Sequence, residues 1–277
     1  MPLPRPRSSA GTTALDRILS EPLGAVLALD FDGTLAPIVA DPRDARAHPG
    51  AAFELARLAP LVGTLAIITG RPAAVAVDYG GLAEVEGILV LGHYGLERWE
   101  NGHLSVPAAP PGVRLVREEL PGLLDRAGAP DGTWIEDKGH ALAVHTRRAP
   151  DPEAALILLR SPLDDLAQRA GLVVEPGRMV IELRPPGMDK GTALAAVVSD
   201  RGATSVLYAG DDLGDLAAFD AVERLRDRGV AGITVCSGSD EVATLAQRAD
   251  LVVDGPAGIV ELLSGLREAL ARGGTTH

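Results

Sequence analysis

Four short stretches of this chain carry side chains with chemistry to offer. The first, Asp30-Phe31-Asp32-Gly33-Thr34, sets two carboxylates one residue apart and follows them with a glycine and a hydroxyl. Residues two apart in extended chain share a side, so both carboxyls can reach one bound group. Two anions this close repel, and both ionise only beside a cation; a divalent metal with oxygen ligands meets that need. One Asp then suits a nucleophile and the other an acid and base. An Asx turn after a strand is the competing reading, because Asp-Gly also marks turns.

The other three clusters fall at similar places. Thr69-Gly70-Arg71 follows an apolar run and precedes a helix, so its hydroxyl and backbone N–H groups suit a phosphoryl oxygen, or Thr69 simply caps the helix. Lys190, in Gly187-Met188-Asp189-Lys190-Gly191, sits at a helix start. The helix dipole disfavours a cation there, so a nearby anion would account for it. Gly210-Asp211-Asp212-Leu213-Gly214-Asp215 packs three carboxylates into five residues with no cation among them. That is a stronger metal signal than the first pair, with a helix start rich in Asp as the plainer alternative.

To meet, these clusters need elements that end on one edge. Apolar strands are expected over residues 25–29, 65–68, 88–91, 205–209, 233–236 and 251–253. Helices are expected over 13–19, 49–58, from 72 toward 79, and over 192–198, 216–226, 241–247 and 256–271. Short apolar strands alternating with helices predict an α/β fold, a Rossmann-like parallel sheet covered on both faces. Between the second and third clusters the pattern changes. Asn101-Gly102 signals a hairpin, and residues 106–112 read as a proline-rich linker. A helix over 113–127, strands over 133–137 and 141–146, a helix over 152–170, and strands over 172–175 and 179–183 about a turn at Pro176-Gly177 follow. This αββαββ order predicts an inserted α+β domain over 106–186, within a core formed by 13–105 and 187–277. Residues 1–12 are expected to be a disordered tail.

Composition limits the partners. The 277 residues carry a formal net charge of −12, which argues against a nucleic-acid or anionic-membrane surface. An anionic substrate therefore needs local positive charge. The single cysteine, Cys236, lies in an apolar run and reads as core packing, with no disulfide framework. The basic, proline-rich start lacks the apolar centre of a secretory signal, and no apolar stretch reaches the ~20 residues of a membrane span. A cytoplasmic monomer acting on a small molecule is expected.

In order, D-x-D-G-T, T-G-R after a strand, a lysine, and G-D-D-x-x-D resemble the four motifs of the haloacid dehalogenase superfamily, from Asp30 to Asp215. The insertion then resembles that superfamily's C2-type cap. Within it, Asp30-Phe31-Asp32-Gly33-Thr34-Leu35-Ala36-Pro37-Ile38, Ile68-Thr69-Gly70-Arg71, Glu182-Leu183-Arg184-Pro185, Asp189-Lys190-Gly191 and Gly210-Asp211-Asp212 resemble the trehalose-6-phosphate phosphatase family. So do Glu136-Asp137-Lys138 and His145-Thr146-Arg147. Two departures stand out: Tyr94 in Gly92-His93-Tyr94-Gly95 replaces the His of the family's G-S-H-G, and Leu213-Gly214-Asp215-Leu216 replaces its x-T-D-E.

The resemblance implies Mg²⁺-dependent hydrolysis of trehalose 6-phosphate, a step of trehalose biosynthesis, through an aspartyl-phosphate. Asp30 would be the nucleophile and Asp32 the acid and base, with Lys190 and Thr69 on the phosphoryl oxygens and Gly70 and Arg71 beside the substrate. Asp30, the Asp32 carbonyl and Asp211 would hold Mg²⁺, with Asp212 and Asp215 behind them placing Lys190 or water. On the cap, Glu136, Lys138, Arg147, Arg178 and Glu182 would contact the sugar. Another sugar phosphate, such as sucrose 6-phosphate or a glycosyl phosphoglycerate, a phosphomutase reaction, and a non-catalytic sugar-phosphate sensor are the alternatives.

Overall fold

The computed structural model describes residues 3–39, 41–238 and 243–273. Its first stretch runs α1 (Ser9–Ser20), β1 (Ala25–Leu29), α2 (Ala51–Leu58), β2 (Thr64–Ile68), α3 (Ala73–Gly80), β3 (Leu89–Gly92), β4 (Glu97–Glu100) and β5 (His103–Ser105). The middle contributes α4 (Pro111–Arg126), β6 (Trp134–Asp137), β7 (Leu142–His145), α5 (Pro152–Ala170), β8 (Val173–Gly177) and β9 (Val180–Arg184). The last stretch adds α6 (Lys190–Asp200), β10 (Ser205–Gly210), α7 (Leu216–Asp227), β11 (Ala231–Gly238), α8 (Ala243–Arg248), β12 (Leu251–Asp254) and α9 (Gly255–Gly273). Two compact units result: Met1–Val106 joined with Asp189–His277, and Pro107–Met188.

The first unit is an eight-stranded sheet in the order β12-β11-β10-β1-β2-β3-β4-β5. Its first six strands pair in parallel, while β4 and β5 return antiparallel. Every residue of β1, β2 and β10 is buried, as parallel strands covered on both faces require. Alternation divides the core. Leu27 and Leu29 join Ile18, Leu55 and Leu266 on one face, while Val26 and Ala28 join Leu194, Phe219 and Leu245 on the other. The chain builds outward from β1 in both directions, with β2 on one side and β10 on the other. The carboxyl ends of β1 and β10 therefore flank a topological switch point, where open α/β sheets form their binding crevice.

The second unit is a four-stranded antiparallel sheet, β6-β7-β9-β8, with α4 and α5 packed through Val113, Leu120, Leu159 and Leu163 onto Leu142, Val144, Ile181 and Leu183. The opposite face carries Trp134, Glu136, His145 and Glu182, the alternate residues of the same strands.

Several boundaries differ from the sequence reading. Residues 1–12 were expected to be a disordered tail. Instead α1 starts at Ser9, because Ser8 accepts from Gly11 N and bonds to Asp250, while Arg7 N donates to the Asp250 carbonyl. The linker expected over 106–112 ends early, since Pro110 and Pro111 start α4 and proline is at home in a first turn. The last hairpin of the second unit turns at Arg178 and Met179, not at Pro176-Gly177; β8 is an edge strand and tolerates Pro176 within it. The helix expected over 241–247 begins at Ala243 among the described residues, and 241–242 lie outside them. The Asn101-Gly102 turn is present, both residues in the left-handed region that such a two-residue turn demands. Among the described residues, no helix is long and apolar enough to cross a membrane.

Candidate active site

Asp30 continues β1 by one residue, its N–H donating to the Ala209 carbonyl of β10. The chain then turns sharply: Leu35 and Ala36 donate to the Phe31 carbonyl, and Gly33 donates to that of Ala36. Gly33 is required here. Its φ is +73°, and a Cβ would lie 1.9 Å from an Asp211 carboxylate oxygen. The first motif is thereby pressed against the last.

Lys190 binds the cluster together. Its side chain is 6% exposed, and Nζ lies 2.9 Å from Asp30 Oδ1, 2.7 Å from Asp215 Oδ1 and 3.9 Å from Asp212 Oδ1. Asp215 is fully buried and accepts four hydrogen bonds. Lys190 Nζ and Tyr208 Oη donate to one oxygen at 2.7 and 2.5 Å, and the backbone N–H groups of Asp211 and Asp212 to the other at 2.9 and 3.1 Å. A single 3-10 turn over Leu213–Asp215 swings this carboxylate back beneath the loop, while Asp212 stays 61% exposed and caps the turn. Asp212 and Asp215, grouped together in the sequence reading, thus occupy different environments.

The charges follow from this packing. Burial alone would push the Lys190 ammonium down, but Asp30, Asp215 and Asp212 outweigh it and hold it well above the usual lysine range. Burial would likewise raise Asp215; Lys190 and the Tyr208 hydroxyl prevail and hold it below the carboxylate range. Asp30 goes the other way, raised by burial and by the Asp215 and Asp211 charges against the pull of Lys190. Burial, with Asp212 and Asp215 nearby, pushes Asp211 up to about 7.

Asp32 faces a different partner. Arg71 Nε and Nη2 each donate to one of its oxygens at 2.7 Å, a bidentate fork. Arg71 lies against the Phe31 and Tyr79 rings, and its backbone N–H donates to the buried Thr69 hydroxyl at 3.1 Å. β1 and β2 are neighbours, so motifs 39 residues apart meet at their carboxyl ends.

A cation would find hard oxygen ligands here. Carboxylate oxygens of Asp30, Asp211 and Asp215 lie within 4.8 Å of one another. Asp215 is already saturated by its four donors, but Asp211 Oδ1 is buried without a hydrogen-bond partner, a cost that a bound cation would remove. The donor set fits Mg²⁺.

Of the residues expected on the cap, Lys138 Nζ donates to Glu182 Oε2 at 2.5 Å, across β6–β7–β9. Glu136 Oε2 lies 2.8 Å from His145 Nε2, and that ring stacks on Trp134 at 4.5 Å, with the Arg148 guanidinium over the indole at 4.7 Å. Arg147 and Arg178 are exposed in turns. Trp134 was missed because a lone aromatic at a strand start gives no sign that its cross-strand partner is a histidine.

A family model described as Trehalose-phosphatase matches residues 28–254, from β1 to β12. The chain belongs to the trehalose-phosphatase family. The trehalose-phosphate phosphatase of Mycolicibacterium paratuberculosis is 33% identical over 252 residues, covering 88% of this chain and 62% of that protein. That of Mycobacterium marinum is 34% identical over 261 residues, covering 91% and 64%. The chain thus spans less than two thirds of the length of these relatives. The solved trehalose-6-phosphate phosphatase of Aspergillus fumigatus superposes with a TM-score of 0.72 over 96% of this chain and 100% of that one, at 24% identity, a likeness of fold. The Tyr94 hydroxyl lies against Gly70, where a Cβ would come within 2.7 Å of it.

Proposed function

We propose that the protein hydrolyses trehalose 6-phosphate to trehalose and phosphate through an aspartyl-phosphate. The observation that carries this reading is the buried Lys190 ammonium bridging Asp30 and Asp215 at the switch point. It fixes the Asp30 carboxyl in place and offsets part of the burial that raises it, an arrangement suited to a nucleophile. An Asp30 oxygen attacks phosphorus as the bond to the sugar oxygen breaks, and Asp32 gives that oxygen its proton. Asp32 then takes a proton from the water that attacks the aspartyl-phosphate, freeing Asp30 and inorganic phosphate. The Arg71 fork sets where the Asp32 carboxyl stands, and one of its oxygens must leave the fork to exchange protons. Lys190 and Thr69 neutralise and bind phosphoryl oxygens.

Mg²⁺, held by Asp30, Asp211 and the Asp32 carbonyl, would supply charge against the phosphoryl oxygens and keep the carboxylates ionised. Family membership supports the sugar; the sheet face of the second unit opposite its helices, with Glu136, Lys138 and Glu182, carries hydrogen-bonding groups suited to its hydroxyls. Arg147 and Arg178 are assigned to the same task. Phosphate release should be fastest from trehalose 6-phosphate in a panel with sucrose 6-phosphate and a glycosyl phosphoglycerate, and should stop with EDTA. Faster release from another sugar overturns the substrate, an isomeric phosphosugar product points to a mutase, and binding without turnover to a sensor.

A further inference from the structure

We propose that Tyr94 is a positioning residue for this reaction: the His93-Tyr94 turn holds Thr69-Gly70-Arg71 and, through Arg71, sets the carboxyl of Asp32. The inference rests on the phosphatase reading above for its chemistry, but its geometry is independent of it.

His93 and Tyr94 have φ of 47° and 58°, two consecutive non-glycine residues in the left-handed region. Such residues persist only where their surroundings enforce the conformation, and they gather at working sites. Here the enforcement is visible. His93 N donates to the Arg71 carbonyl and Tyr94 N to the Thr69 carbonyl, both at 2.9 Å, so the turn grips both ends of the T-G-R segment. Between those grips the Tyr94 hydroxyl lies over Gly70, where a Cβ would come within 2.7 Å of Oη.

The turn is itself anchored on two sides. His93 Nε2 is 3.5 Å from Glu97 Oε1, and the other Glu97 oxygen accepts from Ala73 N at 2.7 Å, the first residue of α3. A Cβ on Gly95 would lie 3.0 Å from that of Ala193, one turn into the helix that Lys190 begins. The turn therefore touches both the T-G-R loop and the lysine helix. From Tyr94 the contact runs to Gly70, from Gly70 along the backbone to Arg71, and from the Arg71 fork to Asp32 at 2.7 Å. Displacement of a reacting group by about 1 Å can cost ~100-fold in rate.

Tyr94→Gly tests this with little risk to the fold, because glycine adopts the left-handed region freely while removing the ring. The expected result is a 10- to 100-fold fall in kcat for trehalose 6-phosphate with KM within about twofold. Tyr94→Phe, which keeps the ring over Gly70, should restore most of kcat. The Arg71 Nε–H resonance, assigned through its loss in Arg71→Lys, should shift in Tyr94→Gly and not in Tyr94→Phe. A Tyr94→Gly enzyme with kcat within twofold of wild type and an unmoved Arg71 resonance overturns the proposal, and so does lower kcat explained wholly by a smaller folded fraction. If the wild-type protein releases phosphate from none of the sugar phosphates, the phosphatase reading fails, and the Arg71 resonance alone decides the positioning.

Discussion

Replacing Asp215 by asparagine isolates the buried carboxylate that anchors Lys190. The carboxylate accepts from four donors, two on each oxygen. An amide can keep the two backbone bonds through its oxygen, but its NH₂ group then faces the Lys190 ammonium. Tyr208 can turn its hydroxyl to accept; an ammonium has no lone pair to offer. Flipping the amide only moves the conflict onto the N–H groups of Asp211 and Asp212. Removing one member of a buried ion pair costs ~3–5 kcal/mol, and the surviving contact with Asp30 at 2.9 Å argues for the lower end, about 3 kcal/mol. At ~2–4 °C per kcal/mol the thermal midpoint should fall by about 6–12 °C, and a Lys190 drawn toward Asp30 should lower kcat ~100-fold. Asp212→Asn is the control. Its side chain is 61% exposed, 3.9 Å from Lys190, and asparagine caps the same turn equally well, so less than ~1 kcal/mol is expected. The sign with pH is also fixed. A carboxyl held below its ordinary value stabilises above the unfolded pKa and loses that contribution as pH falls through the folded one, so the gap between wild type and Asp215→Asn should shrink below about pH 4. Paired melts and phosphate-release assays decide the matter: equal losses in both variants, or a midpoint of Asp215→Asn within ~2 °C of wild type, refute it.

Asp30→Asn should abolish turnover while leaving the midpoint unchanged or higher, since it removes a buried carboxyl raised by its surroundings and Lys190 keeps Asp215; steady-state assays and melts test this. With Asp211 at about 7 in the metal-free protein, Mg²⁺ must displace a proton below that pH. Calorimetry in buffers of different ionisation heat should show net proton release on Mg²⁺ binding at pH 6, with affinity falling as the pH drops below 7. Burial and the Asp211 and Asp215 charges push the Cys236 thiol up to about 11, leaving ~0.1% thiolate at pH 8; mass spectrometry should find it unlabelled by iodoacetamide until the protein is unfolded.

The strands that carry the chemistry were legible because each is a short apolar run ending in polar residues: β1 has the expected bounds, and β2 and β10 lie within a residue of them. The αββαββ insertion was legible through its change of period. What could not be read was which carboxylate turns inward. Asp212 and Asp215 are both acidic, and only the 3-10 turn between them sends one beneath the loop and leaves the other in solvent. The Arg71–Asp32 fork was hidden for a different reason, since it depends on β1 and β2 being neighbours rather than on any local pattern. The β8–β9 hairpin was misplaced because Pro-Gly is a strong turn signal, and nothing local reveals that β8 is the edge strand able to absorb a proline.

The pairing of β1 with β10, Ala25 opposite Ser205, joins strands about 180 residues apart in the sequence. At equilibrium the insertion costs little, because closure entropy rises by only ~0.6 kcal/mol per doubling of loop length. Its weight is in the order of assembly. A nascent chain that has just completed β9 holds the whole inserted unit with its own core, and β1 to β5 of the other, with β1 still waiting for its second neighbour. At that stage Asp30 and Asp32 have been made, but Lys190, Asp211 and Asp215 have not. Asp32 has its Arg71 partner by then, but Asp30 gains its counter-charge only when the final third of the chain docks, and a stalled or truncated product holds the inserted unit without Lys190, Asp211 and Asp215.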